Sequence, residues 1–133
     1  MTIWLYSKRI MVIFQQYQRI RCLLITSKLH LGNPPVTYIN ASPIRFEKIK
    51  QEFIASIAPK PASFENFWQM IIERKVSVIV MLTDLQEGAR VKSDQYWPDR
   101  EEETRDIGSG ISLKHVTSEY QGVFLTRKDK LSS

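Results

Sequence analysis

At 133 residues and 43% hydrophobic content, the chain is long enough for one ordinary core and shows no sign of disorder or low complexity. Its single cysteine, Cys22, excludes an internal disulfide and any cysteine-rich metal site, which fits a reducing, cytoplasmic setting. The net charge of +5 is uneven, because residues 1–60 hold nine Lys/Arg against two Asp/Glu, but these basic residues are scattered and form no nucleic-acid footprint.

The N-terminal stretch carries Lys8-Arg9 ahead of an apolar run, Ile10 to Phe14, far too short to span a bilayer. No small-residue cleavage site follows it, so neither a membrane anchor nor a secretory signal is expected. From Ile10 to Ile25 the pattern suits helix or strand, and no cap signal decides between them. Tyr38 to Ser42 and Phe53 to Ala58 read as short strands.

Ser63, a favoured N-cap type, opens the clearest helix: Phe64, Phe67, Trp68, Ile71 and Ile72 fall on one face at helical spacing. Val76 to Leu82 then reads as a strand buried on both faces of a sheet. Ile111 to Val116 and Tyr120 to Leu125 suggest a hairpin turning near Thr117-Ser118-Glu119. Turn signals at Gly32-Asn33-Pro34-Pro35, Pro59-Lys60-Pro61, Glu87-Gly88 and Gly108-Ser109-Gly110 punctuate one α/β unit without marking a linker.

Several motifs recur in a fixed order: Tyr38-Ile39-Asn40-Ala41, Phe53-Ile54-Ala55-Ser56, the Phe64 to Glu73 helix, Glu87 and Lys92, then Gln95-Tyr96-Trp97-Pro98. In that order they resemble the N-terminal half of a classical protein tyrosine phosphatase domain. The resemblance runs from about residue 15 to 131 and implies a partial phosphatase-type α/β domain: a mixed sheet with flanking helices over residues 15–133, preceded by a divergent segment, 1–14. It further implies hydrolysis of phosphotyrosine in proteins through a cysteine nucleophile, with no cofactor and no metal.

The resemblance assigns three candidate residues. Tyr17, in Phe14-Gln15-Gln16-Tyr17, stands where the family places a tyrosine that stacks on the substrate ring; the alternative is a tyrosine that packs against the sheet. Glu87 and Lys92 match the loop that flanks the family's active site; the alternative is a solvated surface ion pair. The family's Trp-Pro-Asp acid loop and its H-C-x-x-G-x-x-R nucleophile loop do not occur before Ser133, so the chain alone is expected to be inactive: either part of a phosphatase or a non-catalytic phosphatase-like binder. A sheet short of its neighbours is expected to expose an edge and to favour self-association or docking of a complementary half.

Two sequences imitate the missing loops. Trp97-Pro98-Asp99 spells the acid motif, but it follows Gln95-Tyr96 and lacks the expected continuation, so Asp99 is not expected to act as an acid. Cys22 and Lys28 share the offset of a Cys-x5-Arg loop, yet the intervening Leu23 to Ser27 has no glycine to turn successive N–H groups inward. His30 and His115 stand apart from any ligand cluster and read as surface or structurally satisfied histidines. Glu101-Glu102-Glu103 reads as a solvated loop.

Overall fold

The computed structural model describes residues 9–14, 39–46 and 52–133. Strands β1 (Arg9–Phe14), β2 (Ala41–Arg45), β3 (Glu52–Ile57) and β4 (Val78–Met81) form one sheet in the order β2-β3-β1-β4. β1 runs parallel to both β3 and β4, while β2 and β3 are antiparallel, so the sheet is mixed, as the resemblance implies. Between β3 and β4 a 3-10 turn (Pro61–Ser63) leads into helix α1 (Phe64–Glu73), the one α-helix among the described residues.

A short ribbon of β5 (Gln86–Glu87) and β6 (Arg90–Val91) follows. The chain then forms a three-stranded antiparallel sheet from β7 (Thr104–Gly108), β8 (Ile111–Gln121) and β9 (Phe124–Ser132).

Period explains how α1 is placed. Phe64, Phe67, Trp68, Met70 and Ile71 are buried, with Phe67 at 2% and Met70 at 0% exposure. They meet Met11, Ile13 and Ile54 of the first sheet and Ile111 and Leu113 of the second, so the helix lies between two sheets in a single core. Met70 takes a place that the sequence gives to Ile72, which is only partly buried. Because strand side chains alternate, Met11 and Ile13 are fully buried toward α1 whereas Ile10 and Val12 are half-buried.

Both helix ends are informative. Ser63 occupies the N-cap, but its hydroxyl turns back into the 3-10 turn: it accepts from Lys60 N at 3.0 Å and donates to Lys60 O at 3.0 Å. At the other end, Lys75 N donates to Ile72 O and Val76 N to Ile71 O, both at 3.0 Å, with Lys75 at φ +51°. This is the Schellman arrangement, in which the left-handed residue is ordinarily glycine. Lys75→Gly is expected to stabilise the fold by about 1 kcal/mol, seen as a higher urea midpoint, because it relieves the Cβ clash of a left-handed residue.

Two readings of the sequence need correction. Val76 to Leu82 is not buried on both faces: within β4 only Val78 is buried, the following residues are half-exposed, and Leu82 is 62% exposed. β4 lies at the edge of the described sheet and pairs with β1 alone, so its outer side has no neighbour there to cover it.

Nor does the second hairpin turn at Thr117-Ser118-Glu119. β8 runs straight through those residues, with a bulge between His115 and Thr117, and reverses at Gly122-Val123. Gly122 at φ +64° supplies the first central position of a two-residue hairpin turn, a conformation that suits glycine.

Candidate functional site

Glu87 and Lys92 are brought together by the β5–β6 ribbon. Gly88, at φ +58°, lets the chain reverse between the two short strands, and Gln86 Nε2 donates to Gly88 O at 2.9 Å. Beyond the ribbon, Lys92 N and Ser93 N both donate to Leu85 O, at 2.8 and 3.3 Å, which closes the loop at its base. Lys92 Nζ then reaches Glu87 Oε2 at 2.6 Å.

The two partners are buried unequally. Lys92 is 14% exposed and Glu87 73%. The hydrogen bond from Lys92, and then its charge, hold the Glu87 carboxyl below the ordinary range. A neighbouring pair, Lys60 Nζ to Asp94 Oδ2 at 3.5 Å, ties the same loop to the turn before α1.

Behind the loop, the segment Gln95–Pro98 belongs to no ladder, so its carbonyls need side-chain donors. Trp68 Nε1 donates to Tyr96 O at 3.0 Å, Arg105 Nη1 to Gln95 O at 2.9 Å, and Arg127 Nη2 to Pro98 O at 2.6 Å. The Arg105 guanidinium also lies 5.1 Å from the Phe64 ring centre, and that of Arg127 lies 5.9 Å from Trp97.

Tyr96 is 3% exposed and packs edge-on against Phe67 and Trp97, with ring centres 5.0 and 4.6 Å apart. Burial, and secondarily the Asp129 charge, push its hydroxyl well above the usual tyrosine range. Tyr96 therefore stays a neutral donor, and it points at Met81 Sδ, 3.7 Å away. Arg105 and Arg127 were not singled out from the sequence. The signal was present in principle, since an aromatic-proline segment outside any strand must recruit donors from elsewhere.

Asp99 is exposed, and its carboxylate accepts only a 3.4 Å contact from Gln95 Nε2. Its backbone N–H, like that of Arg100, donates to Glu103 Oε2 at 2.9 Å. The three glutamates are thus not a simple solvated loop. Glu101 accepts from Thr117 Oγ1 and Ser118 N, Glu102 pairs with Lys114, and Glu103 caps the turn at Asp99-Arg100. Their side chains stand at the surface, yet each carboxylate has work that the sequence alone does not reveal.

His115 is 1% exposed and structurally satisfied. Nδ1 lies 2.7 Å from Asp129 Oδ1 and Nε2 lies 3.4 Å from Ser118 Oγ, while Arg127 Nη2 stands 3.8 Å from the same Asp129 oxygen. Among the described residues, no group of three His, Cys, Asp or Glu is arranged to hold a metal ion, and no helix is long and apolar enough to cross a membrane. Tyr17, Cys22 and His30 lie outside the described residues.

The sequence model for protein-tyrosine phosphatase matches residues 10–132. The chain belongs to the protein-tyrosine phosphatase family. Among its relatives are receptor-type tyrosine-protein phosphatase eta of Gallus gallus, 45% identical over 78 residues (56% of the chain), and receptor-type tyrosine-protein phosphatase C of Homo sapiens, 44% over 80 residues (60%). Receptor-type tyrosine-protein phosphatase epsilon of Rattus norvegicus is 46% identical over 79 residues (59%). The aligned part spans 6%, 6% and 11% of these three proteins, so this phosphatase-family chain corresponds to a small fraction of each.

Proposed function

We propose that this chain forms the framing part of a phosphotyrosine-hydrolysing domain and that, taken alone, it does not turn over phosphotyrosine. The family match over residues 10–132 carries this reading. In a completed domain, Tyr17 stacks on the substrate ring, Glu87 and Lys92 flank the site, and the partner is a phosphotyrosine protein. The Glu87–Lys92 ion pair supports the loop role, because it fixes the lysine's direction at the surface where a substrate or a neighbouring loop would meet it. A cytoplasmic setting suits the single unpaired thiol and the acceptor protein.

Inactivity follows from chemistry rather than from length. Cleavage by a cysteine needs a thiolate whose pKa is lowered by a positive, N–H-lined loop. The one thiol here, Cys22, is followed by Leu-Leu-Ile-Thr-Ser-Lys, with no glycine and no arginine to build that loop. Phosphate release from a phosphotyrosine peptide by the purified chain is expected to stay at the blank. Turnover that persists in a Cys22→Ser, Asp99→Ala double variant would overturn the site assignment.

The second reading is a non-catalytic phosphatase-like binder. The half-exposed β4, at the edge of the described sheet, and the exposed Leu82 favour it, since an apolar strand with one open edge recruits another chain. Sedimentation of the purified chain separates the two: self-association supports the binder, and a monodisperse monomer supports the framing role.

A further inference from the structure

We propose that Ser118 carries an activated hydroxyl and is a site of covalent modification by small activated phosphonyl or acyl donors. His115 is its base, Asp129 holds that base, and the Glu101 carboxylate occupies the seat that the donor's oxygen would take.

The tautomer of His115 follows from its neighbours. An ionised Asp129 only accepts, so the 2.7 Å contact to its Oδ1 requires Nδ1 to carry the proton. In the neutral ring, which carries one proton, Nε2 then holds the lone pair and faces Ser118 Oγ at 3.4 Å. Burial of the imidazole to 1% exposure fixes its orientation, while Ser118 lies on an exposed part of β8 within reach of solvent. The spacing arises from the bulge between His115 and Thr117, which changes which side chains share a face and sets Ser118 on the same side as His115.

An anion seat adjoins the hydroxyl. Ser118 N and Thr117 Oγ1 both donate to Glu101 Oε1, at 3.0 and 3.2 Å. Those two donors, the nucleophile's own N–H among them, converge on one negative oxygen beside the serine, which is the requirement for stabilising a developing oxyanion. The binding is strong enough to hold the Glu101 carboxyl below its ordinary range, chiefly through Ser118 N and then Thr117 Oγ1. Glu101 approaches from a separate, exposed loop, so a competing anion can displace it.

With a fluorophosphonate, the Ser118 O–P bond forms as the P–F bond breaks. The hydroxyl proton passes to His115 Nε2, fluoride leaves with the bonding pair, and Asp129 stabilises the resulting imidazolium. The product is a stable phosphonylated serine, so the reaction is stoichiometric. An open surface with no enclosing walls restricts it to small, pre-activated donors.

The test is mass-spectrometric labelling of the full chain with a fluorophosphonate, with Ser132, exposed on β9, as the internal reference. General-base assistance of about 10²-fold or more is expected to make Ser118 react at least roughly tenfold faster than Ser132. Glu101→Ala, a change at an exposed side chain, is expected to raise the Ser118 rate further by vacating the seat. Asp129→Asn, which no longer enforces the Nδ1 proton, is expected to lower it while circular dichroism stays native. Labelling of Ser118 no faster than Ser132 in both the wild type and Glu101→Ala would refute the proposal, and an unchanged rate in Glu101→Ala would refute the anion seat.

Discussion

Trp68→Ala is expected to cost about 4 kcal/mol, the middle of the range for truncating a buried aromatic, and to bring the chain close to unfolding, since whole domains are stable by only about 5–15 kcal/mol. Two separate losses add up. Trp68 is 5% exposed and packs edge-on against Phe67 at 5.5 Å, so its removal opens a void where helix and loop meet. Its Nε1 is also the donor for Tyr96 O, and that carbonyl would be left buried without a partner.

Trp68→Phe separates the two terms. It keeps most of the ring volume and removes the donor, so a loss of about 1–3 kcal/mol in urea denaturation is expected. A phenylalanine variant as stable as the wild type would show that the indole N–H plays no part in holding the Tyr-Trp-Pro segment.

Asp129→Ala is expected to be the second most damaging change. Asp129 accepts from His115 at 2.7 Å and lies 3.8 Å from Arg127, and both partners are largely enclosed, at 1% and 18% side-chain exposure. Without the carboxylate, a buried imidazole loses its acceptor and a nearly buried guanidinium loses its counter-charge. Breaking such a group from one side costs about 3 kcal/mol, the lower end for buried ion pairs because Asp129 keeps some solvent contact.

Loss should begin at the β8–β9 hairpin, since Asp129 and His115 form the cross-strand pair beside the bulge. Hydrogen exchange on β8 and β9 is the discriminating measurement. Faster exchange confined to those strands is expected, and uniform acceleration across both sheets would assign Asp129 a wider role.

What could be read from the sequence depended on how far apart the cooperating residues lie. Helix α1 was legible because its determinants sit within ten residues and repeat at one period. The Glu87–Lys92 pair was legible as two candidates on one loop, because a tight reversal at Gly88 brings them together. The β8–β9 turn was misplaced for a physical reason: Thr117-Ser118-Glu119 has turn-like polarity, but its donors are satisfied by Glu101 from another loop, while the real turn holds an apolar valine.

β4 was misjudged because strand composition reports how much burial a segment can use, and only the sheet order reveals how much it receives. The need for donors to the Gln95–Pro98 carbonyls was legible, but not that Arg105 and Arg127 meet it, since they stand 10 and 29 residues from the carbonyls they hold and follow no period that marks them.

The interior position of β1 bears on how the molecule is made. Residues 9–14 leave the ribosome before their partners, residues 52–57 and 78–81, so the strand emerges apolar and waits for neighbours that have not been synthesised. Pairings of such long sequence separation form slowly. Helix α1, which needs only local contacts to begin, is therefore the natural early nucleus, and the first sheet closes around an N-terminal strand that arrives early and docks late. A cut or insertion placed within residues 9–14 acts on the middle of that sheet rather than on its fringe.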